Sequence, residues 1–155
     1  MGTNALLLNT TADNNTAFGA DSLAANTTGT SNTAVGCGAL DANTTASKNT
    51  AVGRQSLTTN TTGCFNTAVG ESSMAANTTG NCNIAVGMCS LVANTEGCFN
   101  TALGNSALAT NTTADRNTAV GMSALLSTTT GCCNTSIGQG SMSANSTGDN
   151  NVAVG

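Results

Sequence analysis

The hydrophobic residues of this chain recur in a strict 17-residue repeat, without one insertion or deletion. The first three complete blocks, which begin at Asn15, read NTAFGADSLAANTTGTS, NTAVGCGALDANTTASK and NTAVGRQSLTTNTTGCF. Equal block lengths are what a stack of identical coils requires, because a changed length would interrupt the hydrogen bonds between neighbouring coils. We number the repeat positions 1 to 17 from this Asn; the blocks begin at residues 15, 32, 49, 66, 83, 100, 117, 134 and 151, and residues 1–14 fit the preceding block in register.

Two positions of the repeat carry large apolar side chains, and they predict the core. Position 4 holds Val, Leu, Ile or Phe, as at Phe18 and Val35, and position 9 holds Leu or Met, as at Leu40. Position 3 between the Thr and the Val is almost always Ala, as at Ala34. This demand for a small side chain predicts close packing against a second surface, and we expect that surface to belong to another chain. Because alternate side chains of a strand point to opposite faces, the Thr at position 2 shares a face with position 4.

The pattern favours an all-β fold. No apolar stripe with helical spacing persists along the chain, and Thr, Asn and Gly are poor helix formers. Short segments such as 16–18 and 23–28 are compatible with strands. The sequence therefore predicts a parallel β-solenoid (β-roll or β-helix), a single repeat domain over residues 1–155 with about nine coils. At a strand spacing of about 4.8 Å, such a rod is about 43 Å long.

Asn and Gly occupy the least variable positions. The Gly at position 5 never varies, which predicts a positive φ or a close backbone approach. The Gly at position 15 is replaced by Ala12, Ala46 and Ala114, so its site does not demand a positive φ. Stacked Asn side chains can form amide ladders, and a glycan on the Asn-Thr-Thr sequons would break them, so we interpret these triplets as structural. The predicted ladders are Asn15, Asn32, Asn49, Asn66, Asn83, Asn100, Asn117 and Asn134 at position 1, and Asn26, Asn43, Asn60 and Asn77 at position 12.

The seven cysteines all lie at variable positions of the repeat. Cys82 is one coil away from both Cys64 and Cys98, at neighbouring positions, so a disulfide to either is compatible with the usual Cα separation. The odd total leaves at least one thiol free or available to another chain. Incidental surface thiols are the simplest interpretation, and cross-linking between chains is the main alternative.

The composition argues against several classes of function. The chain has no His to serve as a general base or to complete a zinc site, and no CxxC motif. We therefore expect no metal, no cofactor and no enzymatic activity. A net charge of −4 with only 6% charged residues argues against nucleic acid as a partner. No apolar run approaches the length of a membrane span.

The strings NTAVG and NTTG, with the intervening Leu, resemble the Asn-, Ala- and Gly-rich repeats of bacterial trimeric autotransporter adhesin heads. These are the YadA-like β-rolls, with motifs such as NSVAIG. They also resemble the repeat regions of phage tail fibres. The likeness covers essentially the whole chain. It implies an extracellular trimeric β-roll, on a virion or cell surface, that binds another surface by its outer face.

The sequence leaves two functions open. The first is an extracellular structural or adhesive fibre segment that assembles with itself, as a trimer or an end-to-end filament, and contacts a cell surface. The chain stops within a repeat at Gly155 and shows no capping segment, as expected of a chain that continues or stacks. The second is ice binding by an uninterrupted column of Thr at position 13. This column, the inner Thr column, comprises Thr27, Thr44, Thr61, Thr78, Thr95, Thr112 and Thr129.

Overall fold

One parallel sheet of nine three-residue strands extends from Thr16 to Val154. The computed structural model describes residues 2–155, and none of them is helical. No membrane-spanning helix therefore occurs in this part of the chain. The strands are β1 Thr16–Phe18, β2 Thr33–Val35, β3 Thr50–Val52, β4 Thr67–Val69, β5 Ile84–Val86, β6 Thr101–Leu103, β7 Thr118–Val120, β8 Thr135–Ile137 and β9 Val152–Val154.

Each strand pairs with the next strand in sequence, always in parallel and always offset by one full repeat. Thr16 pairs with Thr33, and Ala34 pairs with Ala51. The turns between strands continue the same ladder; for example, the Leu40 amide donates to the Ser56 carbonyl oxygen at 3.1 Å. The predicted all-β solenoid with a 17-residue repeat is thus confirmed, with about eight full turns between β1 and β9.

The core differs from the predicted one in the face that the strands turn inward. Ala34, Ala51 and the other central alanines of position 3 are fully buried, whereas Phe18 at position 4 is 62% exposed and Val86 is 39% exposed. The prediction that position 4 belongs to the core is therefore wrong. The prediction for position 9 is confirmed, since Leu57 and its equivalents in the interior coils are fully buried.

The narrow interior explains the small residue at position 3. The alanines pack directly on the leucines of position 9 in one continuous cluster, so a larger side chain on the strand would have no space. The surface that the Ala side chains contact is thus the protein's own Leu column. These alanines are therefore not buried against another chain, contrary to the prediction, and any self-association involves other faces.

The segment 23–28, expected to be compatible with a strand, forms none: residues 23–25 are a turn and residues 27–28 a bend. Leu23 has a φ of 50°, and position 9 is left-handed in every coil, with φ between 49° and 54°. A left-handed backbone costs an L-residue roughly 1–2 kcal/mol. It turns the chain sharply and directs the Leu side chain into the interior, where burial of the side chain offsets that cost.

Truncation at two sites of one coil tests this arrangement. Leu57 is fully buried, so we expect Leu57→Ala to leave a cavity and to lower the free energy of unfolding by about 3 kcal/mol. Val52→Ala, five residues earlier on the outer face, should cost less than about 1 kcal/mol. Urea denaturation of both variants measures the difference, and equal losses would contradict the inward-facing Ala column.

Candidate functional surfaces

The Asn side chains of position 1 link each coil to itself and to the next. The Asn66 Nδ2 donates to the Gly80 carbonyl oxygen of the same coil at 2.8 Å, and its Oδ1 accepts the amide of Asn83 at 3.0 Å. Corresponding bonds recur along the column from Asn15 to Asn151. Only Asn supplies a donor and an acceptor at this length, which explains why the position never varies.

The Asn side chains of position 12 stack directly on one another inside the rod. Asn43 Nδ2 donates to the Asn26 Oδ1 at 2.8 Å, and Asn77 Nδ2 donates to the Asn60 Oδ1 at 2.8 Å. Each Nδ2 also donates to the carbonyl oxygen at position 15, as Asn43 does to Ala46 at 3.0 Å. Stacking of amide upon amide is therefore the geometry of this second column.

One coil breaks the second column. Thr128 occupies position 12 and donates its hydroxyl to the Asn145 carbonyl oxygen at 2.9 Å. As a result, Asn111 Oδ1 is buried without a hydrogen-bond partner, the only such side-chain atom in the described part of the chain. An unsatisfied buried acceptor costs about 1–3 kcal/mol.

We expect Thr128→Asn to raise the free energy of unfolding by about 1 kcal/mol, because the new Nδ2 supplies the donor that Asn111 lacks. The other coils already accommodate Asn at this position. Thermal or urea unfolding measures the gain. Ser127→Asn, one residue earlier, is the matched control and should give no increase; a stabilisation by the control alone would contradict this account.

Position 16 forms a further column that sequence reasoning missed. In six coils its side chain accepts the amide of the same position in the preceding coil, as Cys64 Sγ does from Ser47 N at 3.4 Å and Asp115 Oδ1 does from Cys98 N at 2.7 Å. A signal was available, because every residue at this position has a short side chain with an acceptor atom. These residues are Asp13, Thr30, Ser47, Cys64, Asn81, Cys98, Asp115, Cys132 and Asp149.

The cysteines are free thiols in this structure. Cys64 and Cys98 accept amides within the position 16 column, and the Cys132 amide donates to the Asp149 side chain. These three residues therefore take part in the hydrogen bonding between coils. Cys82 lies at position 17, exposed and with a φ of 58°. Neither of the two disulfides open to Cys82 is formed.

The inner Thr column is not a free hydroxyl array. Thr27 Oγ1 donates to the Thr44 carbonyl oxygen at 3.1 Å, and Thr61, Thr78 and Thr95 bond the following coil in the same way at 3.0–3.1 Å. Their side chains are half-buried. These hydroxyls thus reinforce the stack of coils.

The outer face of the sheet is a regular surface that extends over all nine strands. It consists of positions 2 and 4 of nine strands in register, and none of its residues is charged. Position 2 contributes seven Thr residues together with Ile84 and Val152, and position 4 contributes apolar residues such as Leu103, 37% exposed, and Ile137, 42% exposed. Such a two-column face of hydroxyl and methyl groups, here called the outer sheet face, is suited to contact with another regular surface.

A corner ridge at position 17 adds the main aromatic feature of the surface. Lys48 Nζ lies 4.9 Å from the centroid of the exposed Phe65 ring, and the Arg116 guanidinium lies 5.8 Å from that of Phe99. Cys82 lies between the two aromatic residues in the stack. The corner ridge therefore places one cation–π pair on each side of the exposed Cys82 thiol.

Residues 2–155 contain no pocket and no cluster of three or more possible metal ligands. Two carboxylates interact at the surface, where burial and then the charge of Asp21 raise the pKa of Asp41. The expectation that the protein is not an enzyme stays a prediction.

Comparison with known protein families, with curated proteins and with solved structures finds no match to this chain.

Proposed function

We propose that this protein is a structural or adhesive rod segment that acts outside the cell, on a virion or cell surface, and associates with itself through its outer sheet face. The observation that supports this proposal is the composition of the outer sheet face. Its nine strands in register present exposed apolar side chains and no charged residue. Burying exposed Phe, Val, Leu and Ile side chains against a second copy removes apolar area from water at roughly 25 cal/mol per Å².

The experiment pairs two Glu substitutions in neighbouring coils. Val86→Glu places a charge in the middle of the outer sheet face, where the strand residues are uncharged in every coil. Thr79→Glu places it at position 14, where Glu96 occurs naturally on an exposed site. Light scattering and electron microscopy should show trimers or filaments for the parent protein and for Thr79→Glu, and smaller species for Val86→Glu. A parent protein that stays monomeric at high concentration would contradict self-association.

Ice binding is a second candidate, and the Thr residues at position 2 of the outer sheet face favour it. The Thr residues of position 2 lie on the solvent side of a regular sheet and repeat at the strand spacing of about 4.8 Å. They replace the inner Thr column as the candidate residues, because the hydroxyls of that column bond the protein's own carbonyl groups. Thermal hysteresis that is present in the parent protein and lost in Thr67→Glu would support this function; no hysteresis in the parent protein rules it out.

A further inference from the structure

Six side chains at position 16 point toward the preceding coil: Ser47, Cys64, Asn81, Cys98, Asp115 and Asp149. Ser47 Oγ accepts the Thr30 amide at 2.9 Å, Asn81 Oδ1 accepts the Cys64 amide at 2.8 Å, and Asp149 Oδ1 accepts the Cys132 amide at 2.6 Å. Ser, Cys, Asn and Asp thus all adopt this direction at position 16. The thiols of Cys64 and Cys98 therefore each point toward the preceding coil and away from the following one.

This direction distinguishes the two cysteines that could pair with Cys82. Cys98 Sγ lies 3.3 Å from the amide nitrogen of Asn81, the residue directly before Cys82, so it points toward the coil that carries Cys82. Cys64 Sγ accepts the amide of Ser47 instead and points toward the coil before its own. By sequence spacing, Cys64 and Cys98 are equivalent partners for Cys82. The side-chain direction favours Cys98.

We infer that Cys82 and Cys98 form a disulfide between the fourth and fifth complete coils when the protein meets an oxidant such as oxidised glutathione. Neighbouring coils are about 4.8 Å apart, and consecutive Cα atoms about 3.8 Å apart, which gives a Cα separation of about 6 Å for this diagonal pair. That distance lies within the range of ordinary disulfides. Cys82 is exposed on the corner ridge, and Cys98 is partly exposed beside it.

The reaction is a two-step thiol–disulfide exchange. The Cys82 thiolate attacks one sulfur of oxidised glutathione, which forms a mixed disulfide and releases one glutathione thiolate. The Cys98 thiolate then attacks the Cys82 sulfur and displaces the second glutathione. In total, two cysteine thiols are oxidised to one disulfide, oxidised glutathione is reduced to two glutathione molecules, and the two thiol protons end on the products.

The cross-link closes a loop of one repeat and ties two coils together at the corner ridge. Closure of a loop of this size restricts the unfolded chain, so oxidation should raise the midpoint of thermal unfolding by about 5 °C or more. Cys64 and Cys132 have no such partner, because position 17 of the coils that precede them holds Lys48 and Arg116.

Peptide mapping of the full chain decides the pairing. The background is Cys89→Ser, which leaves Cys82 as the one thiol of its peptide; free thiols are alkylated after oxidation. Under non-reducing conditions, cleavage after Arg and Glu gives peptides 55–71 with Cys64, 72–96 with Cys82, and 97–116 with Cys98. The expected product joins 72–96 to 97–116. A product that joins 55–71 to 72–96, a dimer linked through 72–96, or no cross-linked peptide would each overturn the inference.

Two Ser variants provide the matched control. Cys98→Ser should lose both the cross-linked peptide and the thermal shift on oxidation, whereas Cys64→Ser should keep both. Both substitutions place at position 16 a residue that the chain already carries there, at Ser47, and its hydroxyl still accepts the amide of the preceding coil. Loss of the cross-link in Cys64→Ser but not in Cys98→Ser would assign the opposite pairing.

Discussion

Gly36→Ala is expected to lower the free energy of unfolding by about 4 kcal/mol, from backbone strain and overpacking together. Gly36 has a φ of 137°, a conformation that L side chains rarely adopt. A Cβ at this site would lie 2.4 Å from the Gly53 carbonyl oxygen and 2.6 Å from its carbonyl carbon. Both contacts are with the backbone of the next coil, so no side-chain rotation can relieve them. Urea denaturation followed by circular dichroism measures the loss.

Gly38→Ala, two residues further along, is the matched control. Gly38 also has a positive φ, of 65°, but a Cβ there meets no atom closer than 3.7 Å. The equivalent residues Asp21, Gln55 and Ser72 show that the site accepts ordinary side chains. We expect a loss of about 1–2 kcal/mol, which is the cost of a left-handed backbone for an L-residue without added overpacking. Similar losses in the two variants would show that coil spacing is not what excludes a side chain at position 5.

Asn66→Asp should lower the free energy of unfolding by about 5 kcal/mol at pH 7, the largest effect that we expect from a near-isosteric change. The Asn66 side chain is buried, and its Nδ2 donates to the Gly80 carbonyl oxygen at 2.8 Å. A carboxylate would turn a negative oxygen toward that carbonyl, and the buried charge would keep only the donors of Asn83 on its other oxygen. Chemical denaturation of the purified variant measures the loss.

The pH dependence separates charge burial from a loss of shape. Burial should raise the pKa of the new carboxyl in the folded protein above its value of about 3.9 in the unfolded chain. Above the unfolded value the folded state then binds more protons, so stability falls as the pH rises. The difference between Asn66→Asp and the parent protein should therefore be smaller at pH 4 than at pH 7.

Asn81→Asp makes the same chemical change on the surface and provides the control. Asn81 Oδ1 accepts the Cys64 amide at 2.8 Å, a role that Asp115 and Asp149 fill in other coils. This variant should lose less than about 1 kcal/mol. An equally large loss at both sites would mean that buried amide donors are not what the Asn of position 1 supplies.

The constant repeat length predicted most of the fold, because coils of identical length can stack in few ways. The one-repeat offset of every strand pair and the close approach at Gly36 follow from block length and from residues that never vary. Period-two alternation, however, shows only that Ala34 and Val35 face opposite sides. Which side faces the interior depends on the width of the interior. The prediction that the more hydrophobic Val35 faces inward was wrong, because the narrow interior admits only Ala34.

Two further features lay beyond the sequence pattern. Leu23 adopts a left-handed conformation, and a Leu in the sequence gives no signal of it. Its segment was therefore predicted to be compatible with a strand, although Leu23 lies in a turn. The pairing preference of Cys82 depends on where the Sγ of Cys98 points, which is set by its contact with the Asn81 amide. Position spacing alone makes Cys64 an equal partner, and only side-chain geometry separates the two.

A crystal structure tests the stacking of like residues most directly. We predict that the Cα atoms of Asn49, Asn66 and Asn83 lie on one line at steps of about 4.8 Å, with the Ala of each strand turned inward and the Val outward. Asn residues that are scattered, or strands that pair at an offset other than one repeat, would contradict the solenoid and every surface derived from it.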